Sequence, residues 1–403
     1  MQRYVYVAKD QSGKNVKGVM FAENELDLAE KVRNSGHFLS SSKIAKGVQS
    51  GNKGRRGLRM KPHDVLIFTQ HLGTLIEAGI PLVGGLKNLS KTIDNENAKK
   101  IIDDICARTE SGSYLKEALS AHPRVFSSLY TSIIGAGEAT GKLTLVLESL
   151  SSYLEWDADL KAKIKEAATY PIILFCVMIM VIVMLMIKVV PIFKPLFATA
   201  GVELPLPTRV VMGISDVITG SWYIILIVVG ALVGIYRYIY STPKGAYQID
   251  KLKLKFPLFG GLLKNIIISR FCYILGLALK SGVNVLSALE MGAEAMDNNY
   301  LRQIGLKVRD AVNVGEKIAD SMEESGQVPA LVIQMIKVGE ESGNIAQNLE
   351  KVSAFYDKEL PRVIRGIFAL FEPLMIVVMG IIVGGIALAV FLPMIQLAEL
   401  AGG

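Results

Sequence analysis

The sequence predicts a mainly α-helical, polytopic membrane protein with two homologous cytoplasmic helical bundles, three transmembrane helices and a small N-terminal α/β module. Three observations predict it. With 51% hydrophobic and only 20% charged residues and a mean hydropathy of +0.39, the chain is more apolar than soluble proteins, where ~45–50% is usual. The excess sits in a few long uncharged runs, while the rest has the charged, periodic pattern of soluble helices. Finally, the chain repeats itself. The stretch GAGEATGKLTLVLESLSSYLE, from Gly135 to Glu155, returns as VGEESGNIAQNLEKVSAFYD, from Val338 to Asp357. A constant offset of 202 residues carries Gly137, Glu138, Gly141, Leu147, Glu148 and Tyr153 onto Gly339, Glu340, Gly343, Leu349, Glu350 and Phe355. So long a period indicates duplicated domains; a solenoid would repeat every ~20–50 residues.

Residues 1–45 form the α/β module. Tyr4 to Ala8 and Val16 to Phe21 have strand character around the turn signal Ser12-Gly13, and Glu25 to Arg33 has helical spacing before Gly36. So small a core suits docking better than chemistry. Residues 46–61, rich in glycine and basic side chains, read as a flexible linker. Residues 62–169 read as helices throughout, with Val65, Phe68, Leu72 and Leu75 on one face, a stop at Gly79 and a restart at Pro81.

The bundle runs into the first span, 170–190, whose uncharged core is Pro171 to Ile187, with Lys188 placed to snorkel and Pro191 to end the helix. Residues 191–220 read as a short outer loop. The second span, 221–240, is flanked by Trp222, Tyr223, Tyr236, Tyr238 and Tyr240, an aromatic belt, and is followed by Arg237, Lys244, Lys251, Lys253, Lys255, Lys264 and Arg270. The positive-inside rule places those residues in the cytoplasm and the 191–220 loop outside. The second bundle occupies 241–371; RFCYILGLALKSGVNVLSALE there matches FTQHLGTLIEAGIPLVGGLKN of the first. The third span is 372–393, and 394–403 is an outer tail. The N-terminal residues lack the apolar core of a secretory signal, which leaves the N-terminus in the cytoplasm.

GAGEATGKLT resembles a phosphate-binding loop, but Ala136 stands where its first glycine belongs and Leu143 where its hydroxyl residue belongs, and the second copy replaces Lys142 with Asn344. The shared residues, Gly137, Glu138, Gly141, Gly339, Glu340 and Gly343, instead suit a tight turn between helices, with the glutamates capping the next helix or pairing with a neighbour. His37, His63, His71 and His122 make no zinc signature, and the expectation is no metal, no cofactor and no catalytic set. Glu138, Glu148 and Asp157 are carboxylates that a cation site between subunits would use, though on a helical bundle such groups are more often solvated. Cys106, Cys176 and Cys272 read as buried thiols. The +7 net charge is not interleaved with aromatic residues, which argues against nucleic acid. Spans without mid-membrane ionisable groups argue against a small-solute transporter. Gly230 and Gly234 in span two and Gly380 and Gly384 in span three have the spacing for close helix packing.

The duplicated bundle, the paired GAGEATG and VGEESGN turns, GTLIEAGIPL with LGLALKSGV, the string GVELPLPT, the ending FLPMIQLAEL and the opening YVYVAKDQSGK together resemble the inner-membrane platform proteins of type IV pilus and type II secretion machines, the PilC/GspF family. The resemblance covers nearly the whole chain. It implies a non-enzymatic, homo-oligomeric base in membrane lipid of the bacterial inner membrane. Such a base engages a hexameric assembly or retraction ATPase, pilin or pseudopilin subunits and inner-membrane alignment proteins. The pilus and secretion variants are not distinguished by these residues.

Overall fold

The computed structural model describes residues 2–9, 15–22, 29, 38–44, 59–200 and 205–402. They fall into two units, Met1–Arg59 and Met60–Gly403. In the first, β1 (Gln2–Lys9) is the central strand of an antiparallel sheet, between β2 (Asn15–Ala22) and β3 (Phe38–Ile44). Gln2 pairs with Ala22 and Lys9 with Asn15, a hairpin register, and the β1–β3 ladder shifts between Val7 and Ala8. The third strand had no clear sequence signal, because Leu-Ser-Ser-Ser-Lys does not alternate apolar with polar residues. The helix expected over Glu25 to Arg33 lies outside the described residues except at Ala29, which is helical, as does the linker before Arg59.

The second unit begins with a bundle of α1 (Pro62–Glu77), α2 (Leu82–Thr92), α3 (Glu96–Glu110), α4 (Leu115–Ser120), α5 (Ser128–Thr140) and the start of α6 (Leu143–Met184). Local chemistry sets these boundaries. Pro62 opens α1 where its missing N–H has no partner to lose. Asn95 and Ser127 cap α3 and α5, accepting from the amides of Asn97 at 3.0 Å and Tyr130 at 3.2 Å. Phe68, Leu72, Leu86, Ile101, Leu115 and Leu147 are completely buried, each side chain contributing about 1.5–3 kcal/mol relative to exposure.

α6 continues through Pro171 as one helix of 42 residues. The chain does not stop at Pro191. A π-helical turn, Leu185–Val189, passes directly into α7 (Val190–Ala200). Proline cannot donate to the carbonyl four residues back and its ring presses on that carbonyl, which a wider turn relieves. In the five-residue register of this π turn, where Val190 N donates to the Leu185 carbonyl, the Met186 carbonyl faces Pro191, which has no N–H, and it accepts instead from the Oγ of Ser215, in α8 (Leu206–Gly220), at 2.6 Å. The expected outer loop at 191–220 is therefore largely helical, and α8 also joins the third span, where Thr208 Oγ1 donates to the Ala389 carbonyl at 2.7 Å. Met186, Val190 and Ile386 close the small apolar core between these helices.

Span two is α9 (Trp222–Ser241), and the chain then bends by 110° into α10 (Pro243–Lys255). The second bundle follows as α11 (Phe259–Lys280), α12 (Val285–Ala295), α13 (Asn299–Asn313), α14 (Ile318–Glu324), α15 (Ala330–Ser342) and α16 (Ile345–Ala369), six helices in the order of the first six. The last helix, α17 (Phe371–Gly402), runs through Pro393, so the tail expected from residue 394 is helical as far as Gly402.

Apolar composition alone would also make α11 a span, but two-thirds of its most apolar stretch is buried, against 11% for the corresponding stretches of the helical paths that begin in α6 and α16. α11 is a core helix, with Phe271, Cys272 and Leu275 inside the second bundle. In contrast, Ile173, Met180, Leu226, Ile227, Leu374 and Ile381 lie exposed along α6, α9 and α17. Rows of exposed apolar side chains on long helices are stable in lipid, not in water.

Candidate functional site

The duplicated stretch folds as an elbow between two helices in each bundle. Gly141 and Gly343 end α5 and α15 in left-handed conformation, with φ of +69° and +72°, where a side chain is strained. Gly137 and Gly339 serve a second purpose. A Cβ at Gly137 would lie 2.8 Å from the Val146 side chain, and one at Gly339 would lie 2.8 Å from the Ile345 backbone. The two helices of each elbow therefore touch where only glycine fits.

The carboxylates do not cap the helix that follows. Glu138 reaches back to α4, its Oε1 accepting from the Leu115 amide at 2.7 Å and its Oε2 from the Lys116 amide at 3.2 Å. Glu340 repeats this on α14, accepting from Ile318 at 2.7 Å and Ala319 at 2.9 Å. Tyr114 and Lys317, the residues preceding these short helices, supply no side-chain cap. Two otherwise unpaired amides and the positive end of the helix dipole thus meet one carboxylate. This partnership spans 23 residues in the first copy, beyond the reach of any local capping pattern.

The amides of the glycine-rich turn are occupied. Gly141 N donates to the Glu138 carbonyl at 3.3 Å, Lys142 N to Gly137 at 2.9 Å, and Asn344 N to Gly339 at 2.8 Å. The turn is a helix end rather than a cradle of free amides for phosphate.

Past the elbow, α6 leaves the first bundle and enters the second. Trp156, Leu160 and Ile164 join the second core, and Leu160 is 4% exposed. Trp156, Tyr153 and Tyr273 form one aromatic cluster, with centroids 6.0 Å apart for Tyr153–Trp156, 5.6 Å for Trp156–Tyr273 and 5.5 Å for Tyr153–Tyr273. Beneath them Arg270 donates to Asp157 at 2.7 Å, both side chains largely buried. Burial pushes the Tyr153 and Tyr273 hydroxyls up to about 12. At the membrane edge Tyr170 Oη donates to Glu372 at 3.2 Å. These two residues occupy equivalent places in the repeat, so spans one and three leave their bundles side by side. The copies differ at this point: α6 is unbroken, whereas Leu370 interrupts α16 and α17.

Other expected positions are not brought together. A Cβ at Gly230, Gly234, Gly380 or Gly384 meets nothing within 4 Å, so spans two and three do not pack through these glycines within one chain. His122 is buried against Asp104 at 2.9 Å. Among the described residues no three His, Cys, Asp or Glu side chains converge as metal ligands. Cys106 and Cys272 are buried, but Cys176 is exposed on the lipid-facing surface of α6. Asp250, Ser215 and Thr208 carry contacts that the sequence did not single out, because Asn299, Met186 and Ala389 lie on other elements; the Lys253 partner of Asp250 is local.

A glycine–carboxylate elbow made twice, each copy sending a long helix toward the membrane, defines a membrane protein built by internal duplication. The family model described as type II secretion system (T2SS), protein F, matches residues 68–191 and again 271–393, and the N-terminal domain model of the same protein matches residues 1–42. The chain belongs to the type II secretion system protein F family. It is 35% identical over 400 residues to the type IV pilus assembly protein PilC of Myxococcus xanthus, covering 98% of this chain and 95% of that one. It is 34% identical over 402 residues to PilC of Thermus thermophilus, covering 98% of both. The type II secretion system protein F of Pseudomonas aeruginosa is 31% identical over 409 residues, covering all of each chain.

Proposed function

We propose that the chain is the inner-membrane platform of a type IV pilus machine, a non-enzymatic part that couples a cytoplasmic hexameric ATPase to the insertion of pilin subunits into a filament. The observation that carries this reading is the path of α6. One helix starts at the capped elbow of the first bundle, is clamped in the core of the second, and continues into the membrane. A push or rotation on either bundle therefore reaches the spans through hydrogen-bonded backbone rather than through a loop. Residues 62–169 and 241–371 are the surfaces offered to the ATPase. Spans 170–190, 221–240 and 372–393 are offered to lipid, to pilin, to alignment proteins and to further copies of the chain. The basic residues after span two, from Arg237 to Arg270, support a cytoplasmic location for the bundles and the N-terminus and an outer location for the C-terminus.

The relatives named for pilus assembly and for type II secretion both match over nearly the full chain, so the second reading is the equivalent platform of a secretion system. Expression in two bacterial strains separates them, one lacking its pilus platform and one lacking its secretion platform. Surface filaments restored in the first strain support the pilus reading. Restored export in the second without filaments in the first contradicts it.

A further inference from the structure

We infer that α10 and the groove beside it form a binding site for an anionic phospholipid of the cytoplasmic leaflet. The inference rests on the orientation proposed above, which puts the end of span two at the inner surface of the membrane. The chain leaves span two at Ser241 and turns through 110°, so α10 starts at the depth of the Tyr236 and Tyr240 belt and lies across the span rather than continuing it. Its three sides differ in chemistry. One side faces the second bundle: Ala246 and Asp250 are buried there. The Asp250 carboxylate accepts from Lys253 Nζ at 2.9 Å and from the Asn299 amide and side chain at 2.9 and 2.8 Å. This fixes α10 to the start of α13.

The second side is apolar and uncovered. Leu252 is 68% exposed and Phe256 61%, and with Ile249 they border a groove of about 530 Å³ floored by Phe259, Leu263 and Phe368, within the ~300–1,000 Å³ of typical small-ligand sites. Tyr236 of span two, itself exposed, also lines the groove, so the groove is continuous with the lipid-facing surface of the span. The third side is basic. Lys244, Lys251 and Lys255 recur along it, the Lys251 ammonium lying 5.4 Å from the Tyr300 ring centroid, while Lys253, which also lines the groove, is held by Asp250 and the Tyr240 ring. A helix with an apolar stripe beside a lysine row matches a surface of acyl chains and anionic headgroups. An apolar segment of a protein partner would fill the groove without any use for the lysines.

The full-length protein, reconstituted in nanodiscs holding equal amounts of phosphatidylglycerol and phosphatidylcholine and then released for native mass spectrometry, tests this. Phosphatidylglycerol adducts are expected to exceed phosphatidylcholine adducts. The triple variant Lys244→Gln, Lys251→Gln, Lys255→Gln, at unchanged melting temperature, is expected to lower that preference roughly tenfold. Equal retention of the two lipids by the unmodified protein overturns the proposal without reference to any variant, and so does an unchanged preference in the triple variant. A Gln248→Cys probe separates this failure from failure of the orientation. Reaction with an impermeant maleimide in intact cells would refute the orientation and the site together. Protection in intact cells combined with no lipid preference would refute the site alone.

Discussion

Single residues hold the elbows in place. Removing the Glu138 or Glu340 carboxylate leaves two helix-start amides without partners, and Glu138→Ala or Glu340→Ala is expected to cost about 1–3 kcal/mol of bundle stability. Thermal unfolding in detergent measures it, and Glu→Gln should lose less because one amide oxygen still accepts. Gly339→Ala should be worse than an ordinary surface change, since the new methyl group meets the Ile345 backbone, which cannot rotate aside. Asp250 adds a pH dependence. Burial alone would raise its pKa, but hydrogen bonds from Lys253 and Asn299 outweigh burial and hold the carboxyl below its usual value. A lowered folded-state pKa gives stability that is present above the unfolded value, ~3.9, and is lost as pH falls through the folded one. The advantage of the native protein over Asp250→Asn in melting temperature is therefore expected to narrow below about pH 4. The elbow glycines were legible because the chain states them twice. Their glutamates' partners were not, because a contact 23 residues away leaves no local pattern.

Among the elements, the helices were legible from apolar period and from boundary signals such as Gly79 and Pro81, whereas the behaviour of prolines in the spans was not. Pro191 reads as a stop and the third span reads as ending at residue 393, yet Pro191 and Pro393 lie within continuous helical paths. Proline removes one donor, and a neighbouring helix that satisfies the freed carbonyl allows the path to continue; Ser215, in a segment that reads as loop, supplies that partner for Met186. Ser215→Ala is expected to cost about 1 kcal/mol, measured as a lower melting temperature, with α8 cross-linking less efficiently to α6. The glycine pairs belong to this scale as well. Their faces are open within one chain, so Gly234→Leu and Gly384→Leu should change the unfolding free energy by less than about 0.5 kcal/mol. Lost oligomer with an intact melting temperature would place these faces between chains.

At the scale of the whole molecule, the repeat reads from sequence as two separate bundles, whereas Trp156, Leu160 and Arg270 make them share a seam along α6. Sequence periodicity reports which face of a helix is apolar, not which bundle covers it, and α6 has apolar faces for both. The duplication then has a mechanical meaning: two copies grip one helix at successive heights before it enters the membrane. Insertion near Ala168, between the seam and the first span, tests this most directly when a flexible Gly-Ser segment is compared with an Ala-rich helical segment of two whole turns, seven residues at ~3.6 per turn. Filament assembly in a strain lacking its own platform should be abolished by the flexible insertion and largely kept by the helical one, with ATPase binding retained in both. Normal assembly with the flexible insertion would contradict transmission through α6.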